Sequence, residues 1–413
     1  MNMRKMGKWG LALLAASALS VAFANAQEKV AKIGVLAPMT GGAAADGNEM
    51  VNGARLAVEE INAAGGIAGY TFEVVVGDTQ DQAADTVTSA FERLAGDRDI
   101  NVMMTGYASG SNFEIELMAE QEMPYIISAN AAQTRDIIAP NPDDFPTVWS
   151  ISPSYDAYET AMVPVIQQLL DGGALELPNK KVALISSDNP YSKTIMEGLQ
   201  KNFEDAGWEV TSADLLPFGE INDWRAFLAG VRQAAPSVII NTDYLPGNAA
   251  TFMTQFLEQP TKSLVFIQYA PSVPEFLELT KDRATGVVYN MLGGVLDTPQ
   301  NPRAAEVVEK YKAKYGSAPG VYGPALYEQV YLYADALAKV GDSTDRLAIG
   351  KAIGETEKQI AAGVLRFDPQ THLAVQGEDA IPIQFFQIWD GKRELFYPAR
   401  YATEEFQTPP WMK

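Results

Sequence analysis

The residue types that most catalytic and metal sites need are scarce in this chain. It contains one histidine and no cysteine, so a Ser-His-Asp triad or a multi-histidine zinc site would have to use His372 or do without it. That histidine lies in a polar segment typical of a hairpin loop, where we expect a surface residue without a role. The segment GYASG at residues 106–110 is not a G-x-S-x-G elbow, since its serine is fourth. The sequence therefore predicts no enzyme, no cofactor and no bound metal.

Hydroxyl groups that follow a predicted strand indicate binding rather than catalysis. Residues 101–104 predict a short strand, and Ser109 and Ser111 come after it, at the start of a helix predicted for residues 111–122. Their hydroxyls, together with the unpaired N–H groups of a helix N-terminus, could hold an anion such as a carboxylate. Alternatively, Ser111 only caps the helix, and the preference of serine for that position makes both interpretations about equally good.

Tyrosines occupy similar positions in later predicted units. Tyr191 follows the strand predicted at residues 181–185, and Tyr244 follows the strand predicted at residues 237–241. Each alone more often reflects packing at the start of a helix, but two at equivalent strand ends favour a ligand site. Five tyrosines could together stack on an aromatic ligand or face a cation: Tyr107, Tyr191, Tyr244, Tyr269 and Tyr322.

The elements that position these residues alternate between strand and helix. Residues 31–78 predict a strand, a loop of small residues at 40–47, a helix that ends at two glycines, and a second strand. Parallel strands joined in this way belong to an α/β sheet, in which ligands bind outside the carboxyl ends of the strands. Asp46 lies in that loop. The pattern resumes at residue 181, which predicts two α/β lobes, each with a doubly wound parallel sheet.

The first 26 residues have the three-part composition of a secretory signal peptide. Three basic residues precede an apolar run at residues 11–23, and residues 24–26 are small. The run is too short to span a bilayer, and a lipoprotein anchor would need a cysteine, so we expect a periplasmic protein cleaved near Ala26. Without the leader, 28 basic residues face 52 acidic ones, a net charge of −24. That charge argues against nucleic acid and anionic membranes as partners.

The segment APMTGGAAADGNEMVNGARLAVEEINAAGGIAG at residues 37–69 resembles the N-terminal signature of the periplasmic binding proteins of branched-chain amino acid and amide ABC transporters. The resemblance continues in order to about residue 390. It implies a type I periplasmic binding protein clamshell, with two lobes joined by a hinge of three crossings. The first lobe would comprise residues 27–150 and 288–382, and the second lobe residues 151–287 and 383–413. It also implies an ABC-transporter permease as partner, and we expect the chain to act as a monomer.

The resemblance further implies roles for the residues at strand ends. The loop with Ser109 and Ser111 matches the family position that holds the ligand carboxylate or amide. Tyr191 matches a ligand-facing tyrosine, and Tyr322 matches an aromatic residue that lines the pocket. A second matching loop supplies backbone groups and a hydroxyl, and this chain has Ala132 at the hydroxyl position; its residues here are Asn130, Ala131 and Ala132.

One departure from the family bears on the ligand. Where family members that bind amino acids carry an acid for the α-amine, this chain has Tyr269 and Ala270. An ammonium group buried there without a partner would be strongly unfavourable, unless Asp46 supplies the charge. The predicted function is capture of a small polar ligand, an amino acid or related compound, for an ABC importer. An amide or urea-like compound, an aromatic acid and a quaternary amine stay open as ligands, as does a clamshell sensor for amide- or aromatic-acid-type ligands.

Overall fold

A computed structural model describes residues 29–96, 99–129 and 131–413 of the 413-residue chain. The predicted leader at residues 1–26 lies outside this described part. Strands and helices alternate along most of it, and none of its helices is both long and apolar enough to cross a membrane.

The first sheet is built from five strands, which are β1 Lys29–Ala37, β2 Tyr70–Asp78, β3 Ile100–Thr105, β4 Tyr125–Ile127 and β5 Val148–Ser150. They are all parallel and lie in the order β2-β1-β3-β4-β5. Most of β1 is buried, as expected for a strand that helices cover on both faces. Because the five strands run in the same direction, their carboxyl ends meet at one edge of the sheet.

The second sheet is larger and mixed. The later strands are β6 Lys181–Ser187, β7 Glu209–Leu216, β8 Val238–Asn241, β9 Leu264–Ile267, β10 Val288–Met291, β11 Lys358–Ile360, β12 Gly363–Leu365, β13 Gln384–Trp389 and β14 Lys392–Tyr397. β11 and β12 form a separate hairpin, and the other seven lie in the order β14-β13-β10-β9-β8-β6-β7. β6 to β10 are parallel, whereas β13 runs antiparallel to β10 and β14 antiparallel to β13.

The described residues form thirteen α-helices, most of which connect successive strands. They are α1 Ala44–Ala63, α2 Ala84–Ala95, α3 Glu114–Glu120, α4 Ala131–Ile138, α5 Asp156–Thr160, α6 Met162–Asp171, α7 Pro190–Asp205, α8 Arg225–Ala234, α9 Pro246–Glu258, α10 Pro274–Thr280, α11 Pro302–Tyr315, α12 Tyr322–Val340 and α13 Arg346–Gly354. α1, α2, α12 and α13 contact the first sheet, and α7 contacts the second.

Helix α12 comes late in the chain but packs along α1, beside the first sheet. The two helices approach closely because glycines meet at the contact, where a Cβ on Gly53 of α1 would overlap the carbonyl oxygen of Gly323 in α12. Apolar side chains such as Met50 and Leu326 are fully buried in the same hydrophobic core. Segments more than 250 residues apart in the sequence therefore stabilise one another.

The predicted fold class, α/β with parallel sheets flanked by helices, is confirmed. Two details differ from the predictions. α1 begins at Ala44, so Asp46 lies in its first turn and not in a loop. β10 pairs with β9 and β13, so this strand belongs to the second sheet although the predicted boundary assigns residues from 288 onward to the first lobe. The remainder of the predicted division into lobes stays a prediction.

His372 is buried, which corrects its predicted position at the surface. The histidine is 5% exposed, and its ring stacks on the indole of Trp149 with the ring centroids 4.1 Å apart. The backbone N–H of Ser150 donates to the carbonyl oxygen of His372 over 2.9 Å. This pairing with β5 fixes the polar segment against the first sheet, and burial lowers the pKa of the imidazole.

Candidate ligand-binding site

A cavity of about 250 Å³ lies at the carboxyl ends of strands from both sheets. From the first sheet, Tyr107 follows β3 and Ser128 follows β4. From the second sheet, Tyr191 follows β6, Tyr244 follows β8 and Tyr269 follows β9. Parallel α/β sheets place their ligand sites at this position. The cavity is therefore the candidate site, and it draws its walls from segments that are far apart in the sequence.

Tyrosines dominate the wall of this cavity. Five of them were predicted from the sequence, and all five line it: Tyr107, Tyr191, Tyr244, Tyr269 and Tyr322. Tyr155 and Tyr158 line it as well. Sequence reasoning did not find these two because they lie around the start of α5 and do not directly follow a strand. The nearest signal in the sequence is Ser152-Pro153, a pair typical of a helix start, just ahead of Tyr155.

Four of the tyrosines form a closed circuit of ring contacts, which we call the tyrosine box: Tyr107, Tyr322, Tyr269 and Tyr244. Successive ring centroids around the circuit are 5.2, 6.0, 6.4 and 6.5 Å apart. Three of the four contacts have an edge-on or steeply inclined geometry, with interplanar angles of 66°, 68° and 69°. Edge-to-face pairs of this kind are favourable because the positive ring edge meets the negative ring face.

Asp46 lies behind the tyrosine box and hydrogen-bonds two of its members. The Tyr107 hydroxyl donates to Oδ2 over 2.5 Å, and the Tyr269 hydroxyl donates to Oδ1 over 2.8 Å. The aspartate residue is 5% exposed. Its pKa is raised to about 6, chiefly because burial disfavours the charged form, while the two hydrogen bonds oppose that shift. Asp46 therefore joins a residue of the first sheet to a residue of the second.

The backbone of Tyr269 has an unusual conformation, with φ of 61° and ψ of −56°. A positive φ is costly for a residue with a bulky side chain, on the order of 1–3 kcal/mol, and such strain tends to persist at functional sites. Here it occurs in the residue whose hydroxyl reaches Asp46 from the other sheet.

Other hydroxyls of the wall are also engaged by the protein. The hydroxyl of Tyr158 accepts from the backbone N–H of Leu292 over 2.8 Å, and the hydroxyl of Tyr155 donates to the side chain of Gln133. Nε2 of Gln268 donates to the hydroxyl of Tyr191 over 3.3 Å. With those of Tyr107 and Tyr269, five of the seven tyrosine hydroxyls are held within the protein. The hydroxyl protons of Tyr107, Tyr155 and Tyr269 are therefore engaged, whereas the hydroxyls of Tyr158 and Tyr191 accept and can still donate to a ligand.

The predicted anion-binding residues Ser109 and Ser111 do not line the cavity, although Tyr107 and Gly110 of the same segment do. The N–H of Ser109 donates to Oε1 of Glu114 over 3.1 Å, and its hydroxyl donates to Oε2 over 2.5 Å. Glu114 is completely buried, and burial raises the pKa of its carboxyl. α3 begins at this glutamate, so Ser111 precedes the helix and lies exposed at the surface. The donors of Ser109, which the sequence assigned to a ligand, thus hold a carboxylate of the chain itself.

The remaining predicted residues are placed as follows. Ala132 is buried in α4, in a hydrophobic cluster that includes Tyr155. Unlike Tyr155, it does not line the cavity. Asn130 and the side chain of Ala131 lie outside the described part of the chain. Ser128 does line the cavity, and its Oγ accepts from Nε2 of Gln329 over 2.7 Å.

The charge around the cavity is negative. Its described lining contains two acidic residues, Asp81 and Asp188, and no lysine, arginine or histidine. Both acids are exposed, and Asp46 adds a buried carboxyl behind the wall. The described residues also contain no group of three or more His, Cys, Asp or Glu side chains placed to hold a metal ion.

The sequence model of a family described as periplasmic binding protein matches residues 30–388 of the chain. The chain belongs to the periplasmic binding protein family. Binding proteins of this kind bind small ligands and work with ABC transporters. Leu/Ile/Val-binding protein homolog 7 of Brucella abortus (strain 2308) is 24% identical to the chain over 409 residues, which cover 97% of this chain and 99% of the relative. Homolog 8 of Brucella suis is 26% identical over 401 residues, or 93% and 94% of the two chains.

Among solved structures, the chain is similar to a putative branched-chain amino acid ABC transporter protein from Silicibacter pomeroyi. The two superpose with a TM-score of 0.82 at 28% identity, over 93% of this chain and 100% of the other. The predicted resemblance to binding proteins of branched-chain amino acid transporters is therefore confirmed. The family match at residues 30–388 includes every residue that lines the cavity.

Proposed function

We propose that this periplasmic binding protein captures a small polar ligand, an amino acid or related compound, in the cavity between its two sheets. It then presents the ligand to the permease of an ABC importer and acts as an exported monomer in the periplasm. The observation that supports this most is the hydrogen bond between Tyr269 and Asp46, which joins elements of the two sheets across the cavity wall. The similar proteins are named for leucine, isoleucine and valine binding and for branched-chain amino acid transport, which favours this ligand class.

The proposed mechanism is closure of two hinged lobes around the ligand. In the closed arrangement Tyr107 and Tyr269 share one buried carboxylate, and Tyr191 and Tyr244 meet edge to face at 6.0 Å. Separating the lobes would break the bond from Tyr269 and return Asp46 to water. A ligand that contacts both walls shifts the population toward the closed form, because those contacts exist only there.

We also propose that the protein releases the ligand chemically unchanged. The titratable groups nearest the tyrosine box are phenols and one carboxyl that is hydrogen-bonded on both oxygens. Burial and the nearby Asp46 carboxyl raise the pKa of the Tyr107 and Tyr269 phenols well above the usual value, so these hydroxyls stay protonated and are poor nucleophiles.

The test is a thermal-shift screen over amino acids, amides, aromatic acids and amines, followed by calorimetry on the compounds that raise the melting temperature. A binding compound should also reduce the radius of gyration in X-ray scattering, and mass spectrometry should recover it unchanged. We expect Tyr191→Ala to weaken binding, whereas Leu347→Ala, at an exposed site of α13 outside the cavity, leaves it unchanged. If no compound in the screen raises the melting temperature or changes the scattering, a solute-binding role is refuted. If a ligand is recovered chemically converted, the proposal that the protein is not an enzyme is refuted.

A further inference from the structure

We propose that the ligand is an organic cation whose ammonium group binds within the tyrosine box, with Asp46 as its counter-charge, and that no ligand carboxylate is required. This inference rests on the proposed function, since it specifies the ligand of the same cavity. It is carried by three features of the site, which are the arrangement of the rings, the position of the acid and the engagement of the groups that would hold an anion.

The ring arrangement suits a cation. Because successive centroids of the box are no more than 6.5 Å apart, the point midway among the four lies within about 6 Å of every ring centroid, which meets the distance condition for a cation–π contact. All four rings border the cavity. An alkylated ammonium group gains from such a site because it combines a positive charge with apolar surface.

The acid is placed to complete the cation site. Asp46 hydrogen-bonds Tyr107 and Tyr269, which occupy opposite positions in the box, so the carboxylate lies beside the box and not at its rim. It forms no ion pair with any residue in the described part of the chain. A buried carboxylate without a cationic partner is costly, and an ammonium group in the box would supply that partner.

Two of the groups that could hold a ligand carboxylate are already engaged. Glu114 occupies the donors of Ser109. The first turn of α7 begins with Pro190, which has no N–H, and the N–H of Ser192 donates to the side chain of Asn189 over 2.9 Å. No basic side chain lines the described cavity. An anionic ligand would therefore lose its hydration without gaining a charged partner.

The test compares cations with neutral compounds of the same shape by calorimetry. The probes are choline against 3,3-dimethylbutan-1-ol, and benzylamine against benzyl alcohol, with benzoate and leucine included. We expect at least one cation to bind about tenfold or more tightly than its neutral counterpart, as a desolvated cation–π site with a nearby carboxylate should. Asp46→Asn and Tyr244→Leu should remove that preference, whereas Asp282→Asn at an exposed site outside the cavity should preserve it.

The outcomes separate this inference from the proposed function. Equal binding of the neutral counterparts, tight binding of benzoate, or a cation preference that survives in Asp46→Asn would overturn the inference and leave solute binding intact. Thermal unfolding of each variant shows whether it is folded. If Tyr244→Leu does not fold, Asp46→Asn still provides the test, because it keeps the size of the side chain. Failure of every probe to bind or to change the scattering profile would overturn the inference and count against the proposed function as well.

Discussion

At the scale of single residues, Asp46 determines most of what the site can do. Its two oxygens accept from phenols that belong to different sheets, so one carboxylate positions two rings and couples the two halves of the fold. Burial without a cation makes its ionisation unfavourable. The charge of this residue should therefore be visible in the stability of the protein as well as in its ligand preference.

The pH dependence of stability follows from the pKa of Asp46, which is about 6 in the folded protein against an ordinary 3.8. Between these values the folded state holds a proton that the unfolded state has lost, so the free energy of unfolding decreases as the pH rises. We expect Asp46→Asn to gain roughly 2 kcal/mol relative to the wild type between pH 4 and pH 7. Urea denaturation at both pH values measures the difference.

The comparison with Asp46→Asn is needed because other titratable groups interact with the same carboxyl: Glu49, Glu275, Tyr107, Tyr244, Tyr269 and Tyr322. Burial raises the pKa of Glu49 to about 7, with a smaller contribution from Asp46, so Glu49 titrates in an overlapping range and the larger, burial part of its shift is present in both proteins. A wild type and variant that lose stability in parallel from pH 4 to pH 7 would contradict the role assigned to Asp46.

Removal of the Tyr269 hydroxyl should destabilise the protein. Tyr269→Phe leaves Asp46 with one hydrogen bond fewer in a buried site, at an expected cost of about 1–3 kcal/mol near pH 7. The matched control is Tyr333→Phe in α12, whose hydroxyl is fully buried and has no hydrogen-bond partner among the described residues. We expect the control to be neutral or slightly stabilising. Chemical denaturation compares the two, and equal losses would show that the bond to Asp46 has no special weight.

At the scale of elements, the sequence predicts long periodic helices well. From the sequence, long helices are predicted at residues 302–315 and 322–340, and α11 and α12 match these predictions at both ends. The shorter α3 begins three residues later than predicted, because Glu114 turns back to Ser109 at its first position. Side-chain contacts that are specific to this chain thus set the ends of short elements, whereas apolar periodicity sets the long ones.

The contact between α1 and α12 depends on the absence of a side chain at Gly53. Gly53→Ala would place a methyl group on the carbonyl oxygen of Gly323, and overpacking of this kind costs about 1–3 kcal/mol. Gly230→Ala is the matched control, since Gly230 is exposed in α8 and a Cβ there meets no atom within 4 Å. The control should gain up to about 1 kcal/mol from helix propensity. Thermal unfolding distinguishes the two, and equal midpoints would contradict the close helix contact.

At the scale of the whole molecule, an engineered disulfide bond can hold the two lobes in the closed arrangement. Gly110 follows β3 and Pro190 begins α7, and a Cβ built on Gly110 would lie 3.8 Å from that of Pro190. This separation is the mean for a disulfide, and the chain has no other cysteine to compete. In the oxidised Gly110→Cys/Pro190→Cys protein, we expect ligand to leave the radius of gyration unchanged and ligand exchange to slow.

Reduction of that double variant should restore the ligand-dependent change in scattering, and each single variant should behave as the reduced protein does. An oxidised protein that still contracts when ligand is added would show that the two halves do not close at this point. The experiment therefore examines the proposed hinge motion independently of the chemical identity of the ligand.

The sequence by itself determined the alternating elements, the family and the five tyrosines that line the cavity, because strand ends and apolar periods are local patterns. Only the tertiary structure decided how the polar groups pair. Asp46 meets Tyr107 and Tyr269 at separations of 61 and 223 residues, and Glu114 occupies the donors of Ser109. Such pairings depend on how buried groups satisfy one another once the chain has folded, and no spacing along the sequence records them.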